Sequence, residues 1–90
     1  MYKIDYTPEA QDDIERLKYS EPKAFLKLRK LLIELMEHPR TGTGHPEQLK
    51  GDRAGQWSRR ITQKHRLVYT ITDNEVLVLV LAAYGHYGDR

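Results

Sequence analysis

Val76-Leu77-Val78-Leu79-Val80-Leu81-Ala82-Ala83 is an apolar run without a break, entered through Thr72-Asp73-Asn74. A run this short, rich in valine and opened by turn residues, predicts a strand over about 76–84, central in its sheet and buried on both faces. Upstream, two more strands are expected over about 56–62 and 65–71. Gln63-Lys64 is the tight turn between them, and Thr72-Asp73-Asn74 turns into the apolar run. Nearer the N-terminus, Tyr2, Ile4 and Tyr6 alternate with Lys3 and Asp5, the pattern of a short half-buried strand. Thr7-Pro8 reads as a helix cap followed by proline at the first helical position. Ala10, Ile14 and Leu17 give that helix one narrow apolar stripe. Ser20-Glu21-Pro22 restarts the pattern with another cap. In the second helix Ala24, Phe25, Leu28, Leu31, Leu32, Leu35 and Met36 share a face. His38-Pro39 ends it, because a residue before proline resists the helical region. The order is strand, two helices, then an antiparallel meander. This is an α+β fold, a small antiparallel-rich β-sheet with two N-terminal helices packed on it.

Ninety residues are expected to form one domain, residues 1–90, with a single modest core. Lys and Arg number 15 and Asp and Glu 13, a net charge of only +2, so distribution matters more than the total. From Lys50 to Arg66 the cations are Lys50, Arg53, Arg59, Arg60, Lys64 and Arg66, and the only acid is Asp52. The absence of cysteine excludes disulfides and thiolate metal sites. His38, His45, His65 and His86 show no metal-ligand spacing, so no metal or other cofactor is expected. No run approaches the length of a membrane span, and the N-terminus lacks a signal-peptide apolar stretch. The expectation is a soluble, cytoplasmic protein.

The segment from about 40 to 55, punctuated by Gly42, Gly44, Pro46, Gly51 and Gly55, is too long for a plain connection in so small a domain, and such loops are usually functional or disordered. Strand alternation puts Ser58, Arg60 and Thr62 on one face and Trp57, Arg59 and Ile61 on the other. So much positive charge, from Arg59, Arg60 and Arg66 with His65, beside Trp57 and Tyr69 suits a surface that holds a polyanion such as RNA. RNA can be cut by its own 2′-OH attacking the adjacent phosphorus, given a base, an acid for the 5′-oxygen and cations on the phosphate. Glu47 is a candidate base and His86 a candidate acid. Arg66, with Arg59 or Arg60, would clamp the phosphate. Tyr87 and Trp57 would stack on bases or orient the nucleotide. Each residue also has a plainer reading. Glu47 can be solvated, Trp57 can pack on the sheet, His65 can simply pack or hydrogen-bond, and Arg59 and Arg60 can guard an exposed strand. On spacing alone, a basic binding module stands ahead of a nuclease.

The run from Gly42 to Tyr87 resembles the YoeB/Txe branch of the RelE toxin superfamily. The matching stretches are Gly42-x-Gly44-x-Pro46-Glu47-x-Leu49-Lys50, Gly55-x-Trp57-Ser58-Arg59-Arg60-Ile61-Thr62, His65-Arg66-Leu67-Val68-Tyr69 and His86-Tyr87. The resemblance covers about half the chain and implies a RelE-like sheet with two helices on it. It also implies a toxin that enters the ribosomal A site and cuts the mRNA there, held in check by a cognate YefM/Axe-like antitoxin. By the same resemblance Glu47 is the general base, Arg66 the phosphate-stabilising arginine and His86 the general acid. Tyr87 is the adjacent terminal tyrosine, Lys50 and Arg59 fall on accessory basic positions, and relatives can form homodimers. Two departures stand out. Family members often carry Glu where this chain has Gln63, and some end at the tyrosine where this chain continues with Gly88-Asp89-Arg90. Two alternatives are a ParE-like toxin that inhibits DNA gyrase without catalysis, and an inactive module that only binds RNA or antitoxin.

Overall fold

Thr7 closes the first strand and opens the first helix. In the computed structural model, which describes residues 1–85, strand β1 spans Lys3–Tyr6 and helix α1 Pro8–Ser20. The Thr7 hydroxyl accepts the Ala10 N–H at 3.1 Å and donates to the Leu81 carbonyl at 3.2 Å, so one side chain caps the helix and ties it to the sheet. Helix α2 spans Pro22–Glu37 and stops at His38, as the following proline requires. Its cap departs from expectation. Glu21 is the cap residue but makes no side-chain bond to the helix, and the Ser20 hydroxyl turns back to the Arg16 carbonyl.

Four further strands complete the sheet among the described residues: β2 Glu47–Gln48, β3 Trp57–Arg60, β4 Arg66–Thr72 and β5 Leu77–Ala82. Their order is β1-β5-β4-β3-β2. The β2–β3, β3–β4 and β4–β5 pairs are antiparallel, while β1 runs parallel to β5, the crossover being supplied by the two helices. The expected α+β arrangement is present, with a mixed sheet. A two-residue strand, β2, lies inside the segment expected to be loop.

Both helices cover the same face. Leu17, Leu28, Leu31 and Leu35 pack there against Leu67, Tyr69, Val78 and Val80, all fully buried. Because no helix among the described residues lies on the other face, β5 alternates. Val78 and Val80 are buried, whereas Leu77, Leu79 and Leu81 are only partly so. The expectation that this strand is buried on both faces is thus corrected, since an unbroken apolar run does not reveal that one sheet face lacks a covering layer. Val76 lies outside the strand, in a left-handed conformation (φ 52°) that closes the short turn Asp73–Glu75. Among the described residues no helix is long and apolar enough to cross a membrane.

Candidate active site

Opposite residues in paired strands share a face. Glu47 pairs with Ser58, Ser58 with Val68, and Arg60 with Arg66. These residues therefore all lie on the face away from the helices. Glu47 and Arg60 are exposed and Arg66 is partly so, while Ser58 and Val68, each 2 % exposed, form the floor between them. Glu47 and Arg66 stand two strand spacings apart and two residues along, roughly 12 Å between Cα atoms from standard sheet dimensions.

Arg60 and Arg66 are directly opposed cations, an arrangement that costs stability in a sheet. Among the described residues neither has a carboxylate at ion-pair distance, and the Arg66 guanidinium donates to the Thr62 carbonyl at 3.2 Å. Two opposed guanidinium groups without an acid form a site for an anion. The Arg66 N–H also donates to the Gly85 carbonyl at 2.9 Å, so the C-terminal chain is fixed to the start of β4 one residue before His86. His86 and Tyr87 lie outside the described residues. Lys50 is exposed just past β2, at the entrance to the turn Gly51–Arg53.

Three residues expected to contact RNA are placed elsewhere. Trp57 is on the helix-covered face, opposite Tyr69 and Gln48, and packs partly buried on the core. His65 is 1 % exposed, between Glu21 and Gly85. Arg59 is fully buried, pointing the same way as Ile61 and Trp57. Direct contact with RNA is therefore not the role of Arg59 or His65, because neither reaches the surface.

Arg59 instead fastens the segment that carries Glu47. Its Nη1 pairs with Glu34 Oε1 at 2.6 Å and donates to the Thr43 carbonyl at 3.4 Å. Its Nη2 donates to the carbonyls of His38 and, at 2.6 Å, Thr41, and its Nε to the Tyr69 hydroxyl at 3.1 Å. The Tyr69 hydroxyl in turn donates to the Pro39 carbonyl at 2.9 Å. Burial pushes the Tyr69 hydroxyl up despite the neighbouring guanidinium, which keeps it a donor. Glu34 also accepts both the N–H and the hydroxyl of Thr43, at 2.8 and 2.7 Å. Burial works against its charge, but the bonds from Thr43 and Arg59 outweigh this and hold its carboxyl below the ordinary glutamate range. A chain that leaves α2 at His38 is thus clamped as far as Thr43 by a guanidinium on β3.

The next tie uses backbone. The Arg60 N–H donates to the Gly44 carbonyl at 2.6 Å. Gly44 has φ +86°, and a Cβ there would lie 2.8 Å from the Arg60 carbonyl oxygen. Only glycine permits that approach. Gly44→Ala is accordingly expected to destabilise by about 1–3 kcal/mol. That lowers the thermal midpoint by about 4–8 °C per kcal/mol in a domain of this size. Calorimetry of the two proteins checks it, and an unchanged midpoint would show that the loop does not need this contact. Beyond Gly44, Leu49 is buried and its N–H donates to the Gln56 carbonyl at 2.9 Å, which completes the setting of Glu47. Glu34, Glu21 and Gly44 thus join the site as supports. One signal for a buried Arg59 was available in the chain: it shares its strand face with Ile61.

The family model described as YoeB-like toxin of bacterial type II toxin–antitoxin system matches residues 6–87. The chain is similar to "Toxin YoeB" of Streptomyces coelicolor, 41 % identical over 85 residues that make up 94 % of this chain and 99 % of that one. Among solved structures it is similar to a YoeB/ParE toxin from Agrobacterium tumefaciens, with TM-score 0.89, 36 % identity and 94 % and 99 % of the two chains covered. It also matches the toxin fold in a YoeB–YefM complex from Staphylococcus aureus (TM-score 0.82, 32 % identity, 97 % and 99 % covered). A YoeB dimer from the same organism matches comparably (TM-score 0.82, 31 % identity, 96 % and 98 % covered). These matches run over nearly the whole length of both partners, and the chain belongs to the YoeB-like toxins of bacterial type II toxin–antitoxin systems.

Proposed function

We propose that this toxin is a ribosome-dependent mRNA endonuclease that cuts within the A site by acid–base catalysis. The observation that carries the reading is the exposed face where Glu47 looks across Ser58 and Val68 toward the opposed pair Arg60 and Arg66. Glu47 takes the proton of a ribose 2′-OH. The freed oxygen attacks the adjacent phosphorus while Arg66, with Arg60, holds the non-bridging oxygens as charge builds on them. His86, which follows the Gly85 fixed to Arg66, protonates the departing 5′-oxygen. The products are a 2′,3′-cyclic phosphate and a 5′-hydroxyl. Lys50 adds positive charge at the rim, and Tyr87 orients the nucleotide. Nothing in this scheme uses a metal.

The partners follow from the relatives. A YefM-like antitoxin covers the toxin, as the Staphylococcus aureus complex suggests, and a homodimer parallels the dimer solved from that organism. In vitro translation of a defined mRNA, with and without ribosomes, tests the reading when the 5′ ends of the products are mapped. Cleavage confined to ribosomes and to the A-site codon is expected. Intact mRNA together with gyrase-dependent DNA damage would replace this reading with the non-enzymatic one.

A further inference from the structure

The last described residues are held more tightly than a strand end requires. The Ala83 N–H donates to Asp13 Oδ2 at 3.0 Å. The Tyr84 ring lies under the Arg16 guanidinium at 4.0 Å and 4.4 Å from the His65 imidazole. Gly85 is bonded on both sides: its carbonyl accepts the Arg66 N–H, and its N–H donates to His65 Nδ1 at 2.8 Å.

His65 is the hub of these contacts, and the chemistry of its two nitrogens is fixed. A backbone N–H can only donate, so Nδ1 is the acceptor and carries no proton. The ring proton then sits on Nε2, which donates to Glu21 Oε2 at 2.9 Å. Glu21 stands at the entrance of α2 yet gives its carboxylate to this imidazole rather than to the helix. The bond from His65 is the main cause that holds that carboxyl below its ordinary range. With the ring 1 % exposed and both nitrogens satisfied, an apolar residue in its place would strand the Gly85 N–H.

We propose that His65, its tautomer fixed by Glu21, is a positioning residue that anchors Gly85, the residue bonded to the Arg66 backbone and directly before His86 in the chain. This rests on the catalytic reading above. The imidazole touches no substrate; it acts through the backbone of Gly85. A misplacement of about 1 Å at a reacting group costs on the order of 10²-fold in rate.

Two substitutions in the full-length toxin separate the bonds. Asparagine places an oxygen where Nδ1 was and keeps the Gly85 bond. Glutamine places an NH₂ near the Nε2 position and keeps only the Glu21 bond. Cleavage of ribosome-bound mRNA, hydrogen exchange at the Gly85 amide and the thermal midpoint are measured for each. His65→Gln is expected to lower kcat by about 10²-fold with KM within about threefold, and to speed Gly85 exchange. His65→Asn keeps kcat within about tenfold of the parent. Equal losses in the two variants, losses that merely track the midpoint, or unchanged Gly85 exchange in His65→Gln would overturn the proposal. Should neither variant fold, Glu21→Ala carries the test. The long-range ¹H–¹⁵N spectrum of its imidazoles then shows the Nδ1–H form and kcat falls at least about tenfold, whereas an unchanged tautomer and rate refute the idea. A parent toxin that leaves ribosome-bound mRNA intact would instead bring down the catalytic reading, and this inference with it.

Discussion

Leucine in place of Arg59 is expected to remove about 3–5 kcal/mol of stability, the usual cost of breaking a buried ion pair by deleting one partner. The fully buried guanidinium is satisfied by Glu34, the Tyr69 hydroxyl and the carbonyls of His38, Thr41 and Thr43. Leucine leaves several carbonyls facing a dry pocket and the partly exposed Glu34 carboxylate without its cation. A domain of this size has about 5–13 kcal/mol in all, so the variant would sit near the limit of folding. Urea denaturation measures the loss, and a change under about 1 kcal/mol would show that the cluster is no anchor. Pairing the change with Glu34→Leu should recover part of the loss, because the orphaned charge goes with it. Acid tests the same cluster. The folded carboxyl of Glu34 titrates below its unfolded value, so its contribution is complete above the unfolded pKa and fades as pH falls through the folded one. The stability of Glu34→Gln should therefore depend less on pH than that of the parent below about pH 5.

Arg59 also marks the boundary of what the chain discloses by itself. Period-two alternation correctly separates Arg59 from Arg60, and its companionship with Ile61 on one face points inward. The alternation does not say which face the helices cover, and that choice turns a candidate RNA contact into an internal clamp. Its partner Glu34 lies 25 positions away on a helix whose apolar stripe was legible but whose polar side gave no hint of a mate. The helix boundaries were easy because Thr7-Pro8 and His38-Pro39 are local signals, and the three C-terminal strands were easy because each has its own pattern. Strand β2 has two residues, too few to show any period. The parallel union of β1 with β5 is a non-local pairing that no window of sequence contains. The one-sided burial of β5 is equally a property of the packed layers. Glu47 and Arg66 could be picked by residue type and resemblance, but their common face becomes evident only through two successive registers.

Those registers predict a separation of activity from stability. Glu47→Gln should lower the rate of A-site cleavage by about 10²–10⁴-fold, the range for losing a general base. Arg66→Ala should lower it by about 10²–10³-fold, comparable to removing one donor to a developing oxyanion. Lysine at 66 should restore little, because a point charge cannot reproduce the planar fork that grips two phosphate oxygens. Neither residue holds the fold. Glu47 is exposed, and the Arg66 guanidinium contributes one bond to a carbonyl beside a cation that repels it. Both variants should therefore unfold within about 0.5 kcal/mol of the parent, and Arg66→Ala could even gain from relief at Arg60. The double variant should lose little more than the worse single one, since base and phosphate clamp act on the same transition state. Single-turnover cleavage on programmed ribosomes, with melting curves of the same preparations, decides the matter. Rates that stay at the parent's level would remove Glu47 and Arg66 from the chemistry. Rates that fall only alongside the melting temperature would make them structural, and the exposed face between β2 and β4 would then need a different occupant.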